Sequence, residues 1–300
     1  MNLTQINLLW EEYKQKYDID KDVQISDVKY DADNYVEGCF HLLELLDGNY
    51  TLHLNTNVHL YSENYVKFIL FHEFTHFYDF IHCPYEDKMK MIMWMNAYSE
   101  FHACRVTLAR FIEALTLKMV HVDKIQLPGP YRETSIRHLL IESVYRTRIC
   151  FEAFYRHYRL QDFGNGFRQL MYLFGYLSLF QNDRQLVEET LAALPIPADP
   201  FRELYVSLKA MKFDTVITLY QRITDEATLV YIKAMFRRFY PPQVLADEEI
   251  AQITLENYRD YIEKLDRRMK DMGLTPPQGE EDGTPIEAEA AFIKLYFLDS

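Results

Sequence analysis

Two rhythms of apolar and polar residues divide the chain. In roughly the first sixty positions, short stretches alternate with the period of two expected of strands. Residues 22–28, DVQISDV, predict a short strand. Residues 35–57, YVEGCFHLLELLDGNYTLHLNTN, predict a hairpin turning at Asp47–Gly48. Within it, Tyr50, Leu52 and Leu54 alternate with Thr51, His53 and Asn55, a strand with one buried face. An amphipathic helix, MNLTQINLLWEEYKQKYD, precedes this material.

From residue 62 the spacing lengthens to that of helices. Ser62 is suited to cap a helix running SENYVKFILFHEFTHFYDFIHC, and Pro84 disfavours helical geometry at Cys83 and ends it there. Helical stretches follow at NAYSEFHACRVTLARFIEALTLKMV (96–120) and RETSIRHLLIESVYRTRICFEAFYRHYRL (132–160), with a break at LPGP (127–130). Shorter helices come next, separated by FGNGF, LPIPADP and FYPP, and ELYVSLKAMKFDTVITLYQRI reads as one helix–turn–helix unit. TPPQGEEDGTP (275–285) reads as a flexible acidic linker before a last apolar piece, AFIKLYFL. The pattern is that of an α+β chain, mostly helical, with a small N-terminal sheet followed by an all-α domain. Residues 1–125 form the first unit, 126–274 the helical domain, and 275–300 the linker and terminal segment.

Composition narrows the function. The 300 residues are 49% hydrophobic with nine glycines, enough for a real core. A net charge of −13 excludes binding of a phosphate backbone as the main activity, since there is no basic excess to release counterions. No apolar run reaches membrane-spanning length and no secretory signal opens the chain, so no membrane partner is expected. Four irregularly spaced cysteines, Cys39, Cys83, Cys104 and Cys150, fit reduced thiols, and the expected location is cytoplasmic.

One motif carries chemistry. In FHEFTHF, His72 and His76 fall about 40° apart on one face of a helix, one turn from each other, so both imidazoles can grip one ion. Glu73 is rotated about 100° from His72, positioned to reach a metal-bound water rather than the metal. Ten histidines in the chain would produce such a match by chance in about one chain in forty. Catalytic zinc takes three protein ligands, so a third must lie elsewhere. Two segments compete. His82 follows His76 by six residues but needs a sharp turn that Asp79 supports poorly, where a glycine would allow it. On a continuing helix His82 lies about 80° from His72 and out of reach. Glu100 lies 24 residues beyond His76, far enough for a second helix to return beside the first. Its helical neighbours Ala97, Ala103 and Cys104 are small and permit close approach. His102 falls on nearly the opposite side of that helix, a structural position.

HEFTH followed by SEFHA resembles the gluzincin branch of zinc metallopeptidases, in which a glutamate on a following helix completes the site. The Glu-x-x-Ala at Glu100 is similar to that of the ImmA/IrrE-like peptidases of bacteria and their mobile elements. The resemblance spans about residues 50–110. It implies a zincin-like core with His72, His76 and Glu100 holding Zn2+ and Glu73 as catalytic base. The implied activity is hydrolysis of peptide bonds in a peptide or protein substrate. Thr75 stands where the family usually has glycine, and no exopeptidase substrate-amine motif is visible, so an endopeptidase is expected.

Other residues are weighed beside these. Asp79, on the histidine face, is either a partner orienting a ligand imidazole or an exposed helix-end carboxylate. Met89, Met91, Met93 and Met95 read as a packing segment between the two ligand helices rather than a copper site. YRHYR (155–159) is a candidate source of a group opposing the developing oxyanion. The strand YTLHLNT is a candidate sheet edge for an extended peptide. A helical binding protein with a structural zinc site is the rival function, and a closed four-ligand site would favour it.

Overall fold

The computed structural model describes residues 1–19, 21–32, 37–114, 126–127, 129, 134–180, 183–192, 194 and 198–276. The chain beyond Pro276, including most of the acidic linker and AFIKLYFL, lies outside these residues. So do the predicted helix end at 115–120 and the prolines of the LPGP break. The fold is mostly helical with a small N-terminal sheet. No helix among the described residues is long and apolar enough to cross a membrane.

Helix α1 (Leu3–Lys16) starts at a capping box, the Asn2 side chain accepting from the Gln5 amide and Gln5 returning the bond. Its buried face, Ile6, Trp10 and Tyr13, repeats at helical spacing and packs on aromatic residues of the motif helix. Strand β1 (Asp27–Asp31) covers only the tail of the predicted 22–28 strand. The reason lies in α1. The Asn7 side chain bonds both backbone groups of Ile25, and the Trp10 indole N–H donates to the Val23 carbonyl, which diverts backbone that a ladder would need.

Strand β2 (Gly38–Phe40) and strand β3 (Thr51–Asn55) pair antiparallel as predicted, but HLLELL between them is not strand. It forms a short helix, α2 (Leu42–Leu46), because Leu42 and Leu45 share its buried face. The turn at Asp47–Gly48 remains, with Gly48 at φ 76. The sheet order is β1-β3-β2, with β1 parallel to β3. Strand β3 is therefore central and cannot be the peptide-accepting edge. Thr51 and Asn55 are buried along with Leu52 and Leu54 for the same reason. The strand at the edge beside the motif helix is β2.

Helix α3 (Glu63–Ile81) begins at Ser62, whose hydroxyl accepts from the Tyr65 amide, and stops with His82 as its cap before Pro84. Helix α4 (Lys88–Trp94) runs through a π-helical turn, Met95–Ser99, directly into helix α5 (Glu100–Ala114). The methionine segment is thus the start of the Glu100 helix, and most of it packs: Met95 is buried and Met91 and Met93 lie against the core, while Met89 is exposed. A two-stranded ribbon, β4 (Gln126–Leu127) with β5 (Thr134–Ser135), precedes helix α6 (Ile136–His157) and helix α7 (Leu160–Leu177). FGNGF lies inside α7 and breaks nothing. Its Gly166 lets α7 close on α6, where a Cβ would stand 3.2 Å from Cys150 and Phe151 side-chain atoms. Helices α8 (Asp183–Ala192), α9 (Ala198–Lys209) and α10 (Phe213–Phe239) follow, α9 and α10 forming the predicted helix–turn–helix. Helices α11 (Asp247–Ala251) and α12 (Tyr258–Asp271) close a small core with the end of α10.

Helix α5 is the shared wall of the molecule. One side faces α3, and the other, with Phe101, Cys104 and Leu108, joins the core built by α7. Gly175 of α7 makes the approach possible: a Cβ there would lie 2.4 Å from the Phe101 carbonyl oxygen and 2.8 Å from the Cys104 Cβ. A helical Gly→Ala change ordinarily gains up to about 1 kcal/mol. Here Gly175→Ala is expected to cost about 1–3 kcal/mol through overpacking against backbone, read as a lowered urea midpoint.

Candidate metal centre

Helix α3 turns His72 and His76 toward α5, with their Nε2 atoms 3.1 Å apart. The first residue of α5, Glu100, brings its Oε2 to 3.3 Å from His76 Nε2 and 3.7 Å from His72 Nε2. These separations are close to the edges of a tetrahedron, about 3.3–3.4 Å, set by zinc–nitrogen and zinc–oxygen bonds of about 2.0–2.1 Å. The approach of the helices needs small residues, and Ala97, Ala103 and Cys104 are all buried on α5 and its π turn. The π turn ends at Ser99, so the extra residue per turn sits directly before Glu100, a placement common at functional sites.

The buried Oε2 of Glu100 makes no hydrogen bond, although the imidazoles are near. An orphaned carboxylate oxygen facing two imidazole nitrogens fits a cation between them. The field agrees. Burial alone would raise the Glu100 carboxyl, but His76, His72 and Arg168 hold it well below the usual range. Burial opposes charge on both imidazoles and lowers the pKa of His72, yet Glu100, Glu73 and Asp79 raise that of His76. The anionic field is thus felt most at His76.

Around the donors lies a layer that orients them. Asp79 is 1% exposed, not a carboxylate at an exposed helix end. It accepts from the Ser99 hydroxyl at 2.8 Å and from His102 Nδ1 at 2.8 Å. With Ser99's proton committed to Asp79, its oxygen accepts from His76 Nδ1–H, also at 2.8 Å. In the neutral imidazole, the form that binds a metal, this tautomer leaves the Nε2 lone pair of His76 on the side of Glu100 and His72. His102, expected only as a structural residue, thus holds Asp79, one turn beyond His76 on α3.

Helix α7 supplies the remaining neighbours. Arg168 Nε lies 3.4 Å from Glu100 Oε1, so the two oxygens of that carboxylate serve different partners. Tyr172 stands edge-on to His72 with ring centroids 5.8 Å apart. The guanidinium and phenol beside the centre thus come from α7 rather than from residues 155–159, which end α6 and lead into α7. A signal for them was present in FRQLMYLFGYL: an arginine and a tyrosine four apart, on one face of a largely apolar stretch. Cys104 Sγ is 4.0 Å from His72 Nδ1, and burial pushes its thiol well up, so it is a neutral neighbour.

Glu73 leaves the helix in another direction, toward β2. It is 6% exposed, and a Cβ on Gly38 would stand 3.1 Å from its Cγ, so the edge strand makes room for it. Burial pushes its carboxyl up to about 8, with His76 and Arg168 pulling it down and Glu100 and Glu37 adding to the rise. His82 is elsewhere. It caps α3, with Nδ1 2.9 Å from the Tyr78 carbonyl, because the helix continues through Asp79 without the turn a third histidine would need.

Glu100→Ala is expected to weaken metal binding by orders of magnitude in competition with a chelator, while His82→Ala leaves it nearly unchanged. Ser99→Ala, which removes the bridge between Asp79 and His76, should weaken it about 10–100-fold in the same assay.

Compared with protein-family models, curated proteins and solved structures, the chain matches none. The functional reading therefore rests on the residues of this site.

Proposed function

We propose that the protein is a zinc-dependent metallopeptidase with a zincin-like core, in which His72, His76 and Glu100 hold the metal and Glu73 is the general base. The observation that carries this reading is the pairing of a three-donor cluster with a separate buried carboxylate on the same helix turn. Among the described residues, three donors converge here and not the four of a closed structural site. A structural zinc has no use for Glu73.

Bound zinc supplies a Lewis acid for a peptide carbonyl and acidifies a water toward neutrality. Glu73 takes a proton from the attacking water and passes it to the leaving amine nitrogen. Burial raises its pKa, so once ionised Glu73 is a stronger proton acceptor than a carboxylate of ordinary acidity. Glu100 stays ionised through Arg168 and the imidazoles, and the Asp79–Ser99 bridge fixes the His76 ring. Arg168 beside Glu100 and Tyr172 beside His72 are the candidate donors to a developing oxyanion. The outer edge of β2, starting at Gly38 beside Glu73, is the place for an extended peptide to add as a strand.

Two measurements test the reading. Purified protein should carry about one zinc per chain at the α3–α5 centre, and His72→Ala should lose that zinc. Glu73→Gln keeps shape and removes basicity, so metal content and thermal stability should hold. Cleavage of an unstructured protein should fall at least about 10²–10⁴-fold. Identical cleavage profiles for wild type and Glu73→Gln across a broad peptide library would sink the peptidase reading.

A further inference from the structure

We propose a second metal site, separate from the α3–α5 centre, at which His41, Glu44 and His53 bind a divalent first-row cation such as zinc or nickel. It does not depend on the peptidase reading.

The backbone brings the three together from the β2–α2–β3 connection. His41 follows β2 and precedes α2, Glu44 sits one turn into α2, and His53 is the middle residue of β3. Because β3 alternates, Leu52 and Leu54 enter the core shared with α1 and α3, and His53 projects from the opposite face. Cys39 pairs directly with His53, so it shares that face, as does His41 two residues further on. One ligand atom from each of His41, Glu44 and His53 lies within 4.8 Å of the other two. His53 Nε2 is 2.9 Å from Glu44 Oε2, and His41 Nδ1 is 3.9 Å from Glu44 Oε1. Although burial pushes the Glu44 carboxyl up, His53, His41 and Lys29 draw it below its ordinary value, which keeps it in the anionic form a ligand needs.

Two imidazoles and a carboxylate form a donor set for zinc or nickel rather than for calcium or magnesium, which prefer oxygen. The imidazoles of His41 and His53 stack at 4.0 Å with planes 7° apart. Parallel rings do not aim both lone pairs at one ion, so one ring must turn. The His41 side chain is 52% exposed and has room to swing about its Cβ–Cγ bond while the His53–Glu44 pair stays in place. That rearrangement makes the site weaker than the one between α3 and α5, whose donors already converge. Occupancy closes the 41–53 segment across the end of β2, three residues from Gly38, and pins the edge strand that lies against Glu73.

The experiment is a titration of chelator-stripped full-length protein with zinc, followed by calorimetry and by competition with a colorimetric chelator. Wild type should take two equivalents of different affinity. His53→Ala should weaken the looser one more than about tenfold and leave the tighter one intact, and His72→Ala should do the reverse. Should His53→Ala fail to fold by circular dichroism, the exposed His41→Ala and the near-isosteric Glu44→Gln carry the same expectation. Wild type taking a single equivalent, lost in His72→Ala and kept in His53→Ala, overturns the second site. So does a second equivalent that none of the three substitutions weakens. A single equivalent lost in His53→Ala and kept in His72→Ala would support this site and overturn the α3–α5 centre, so the two readings fail separately.

Discussion

Three carboxylates buried between or beside α3 and α5 set the terms for the rest of the structure. Removing an ionised carboxylate from water is costly unless it is paired and hydrogen-bonded. Asp79 is satisfied on both oxygens, by Ser99 and His102. Glu100 has Arg168 on one oxygen and the two imidazoles before the other. Glu73 has neither arrangement, and burial pushes its carboxyl toward the neutral form. The same burial thus leaves three carboxylates in different settings. One accepts from Ser99 and His102 and so orients an imidazole, one faces the two imidazoles where a cation fits, and one is pushed toward exchanging a proton near neutral pH.

Such a cluster holds together only if the helices around it approach closely, and the small residues are placed for that. Ala97, Ala103 and Cys104 thin the α5 surface toward its neighbours, and Gly175 lets the α7 backbone approach the Phe101 carbonyl. Gly38 does the same for β2 against Glu73. Larger residues at these points would hold the walls apart, and water would enter to solvate the charges. The pairings above would then lose most of their strength, since charge interactions are several-fold weaker in water.

What could be read in the residues is what depends on helical or strand period. The extent of α3, its cap at Ser62, its stop before Pro84, and the shared face of His72 and His76 all follow from spacing. The convergence of Glu100 on that face was legible for the same reason, since small residues three and four positions away marked the contacting side. Hidden from the pattern were features set by partners distant in sequence. Asn7 and Trp10 take backbone bonds that residues 22–26 would need for a strand. Two leucines three apart made HLLELL a helix where the hairpin reading expected a strand. FGNGF looked like a break because glycine serves both turns and close helix contacts, and only the presence of α6 decides between them. The π turn has no composition of its own, and without it the shared role of Ser99 and His102 at Asp79 could not be placed.

The centre draws on segments spread along much of the chain: Gly38 on β2, the histidines on α3, Ser99 and Glu100 at the head of α5, Arg168 and Tyr172 on α7. The contribution of α7 changes how the helical half is understood. Arg168 directs its charge at the outer oxygen of Glu100. That contact does two things at once. It keeps the carboxylate ionised inside the protein, and it leaves Oε2 as the oxygen presented to His72 and His76. A carboxylate with both oxygens equally available could turn to chelate an ion with the pair of them, whereas one tied on a single side offers one donor. Through Arg168 the helical half thereby leaves one oxygen of Glu100 to the candidate centre, where three donors converge among the described residues.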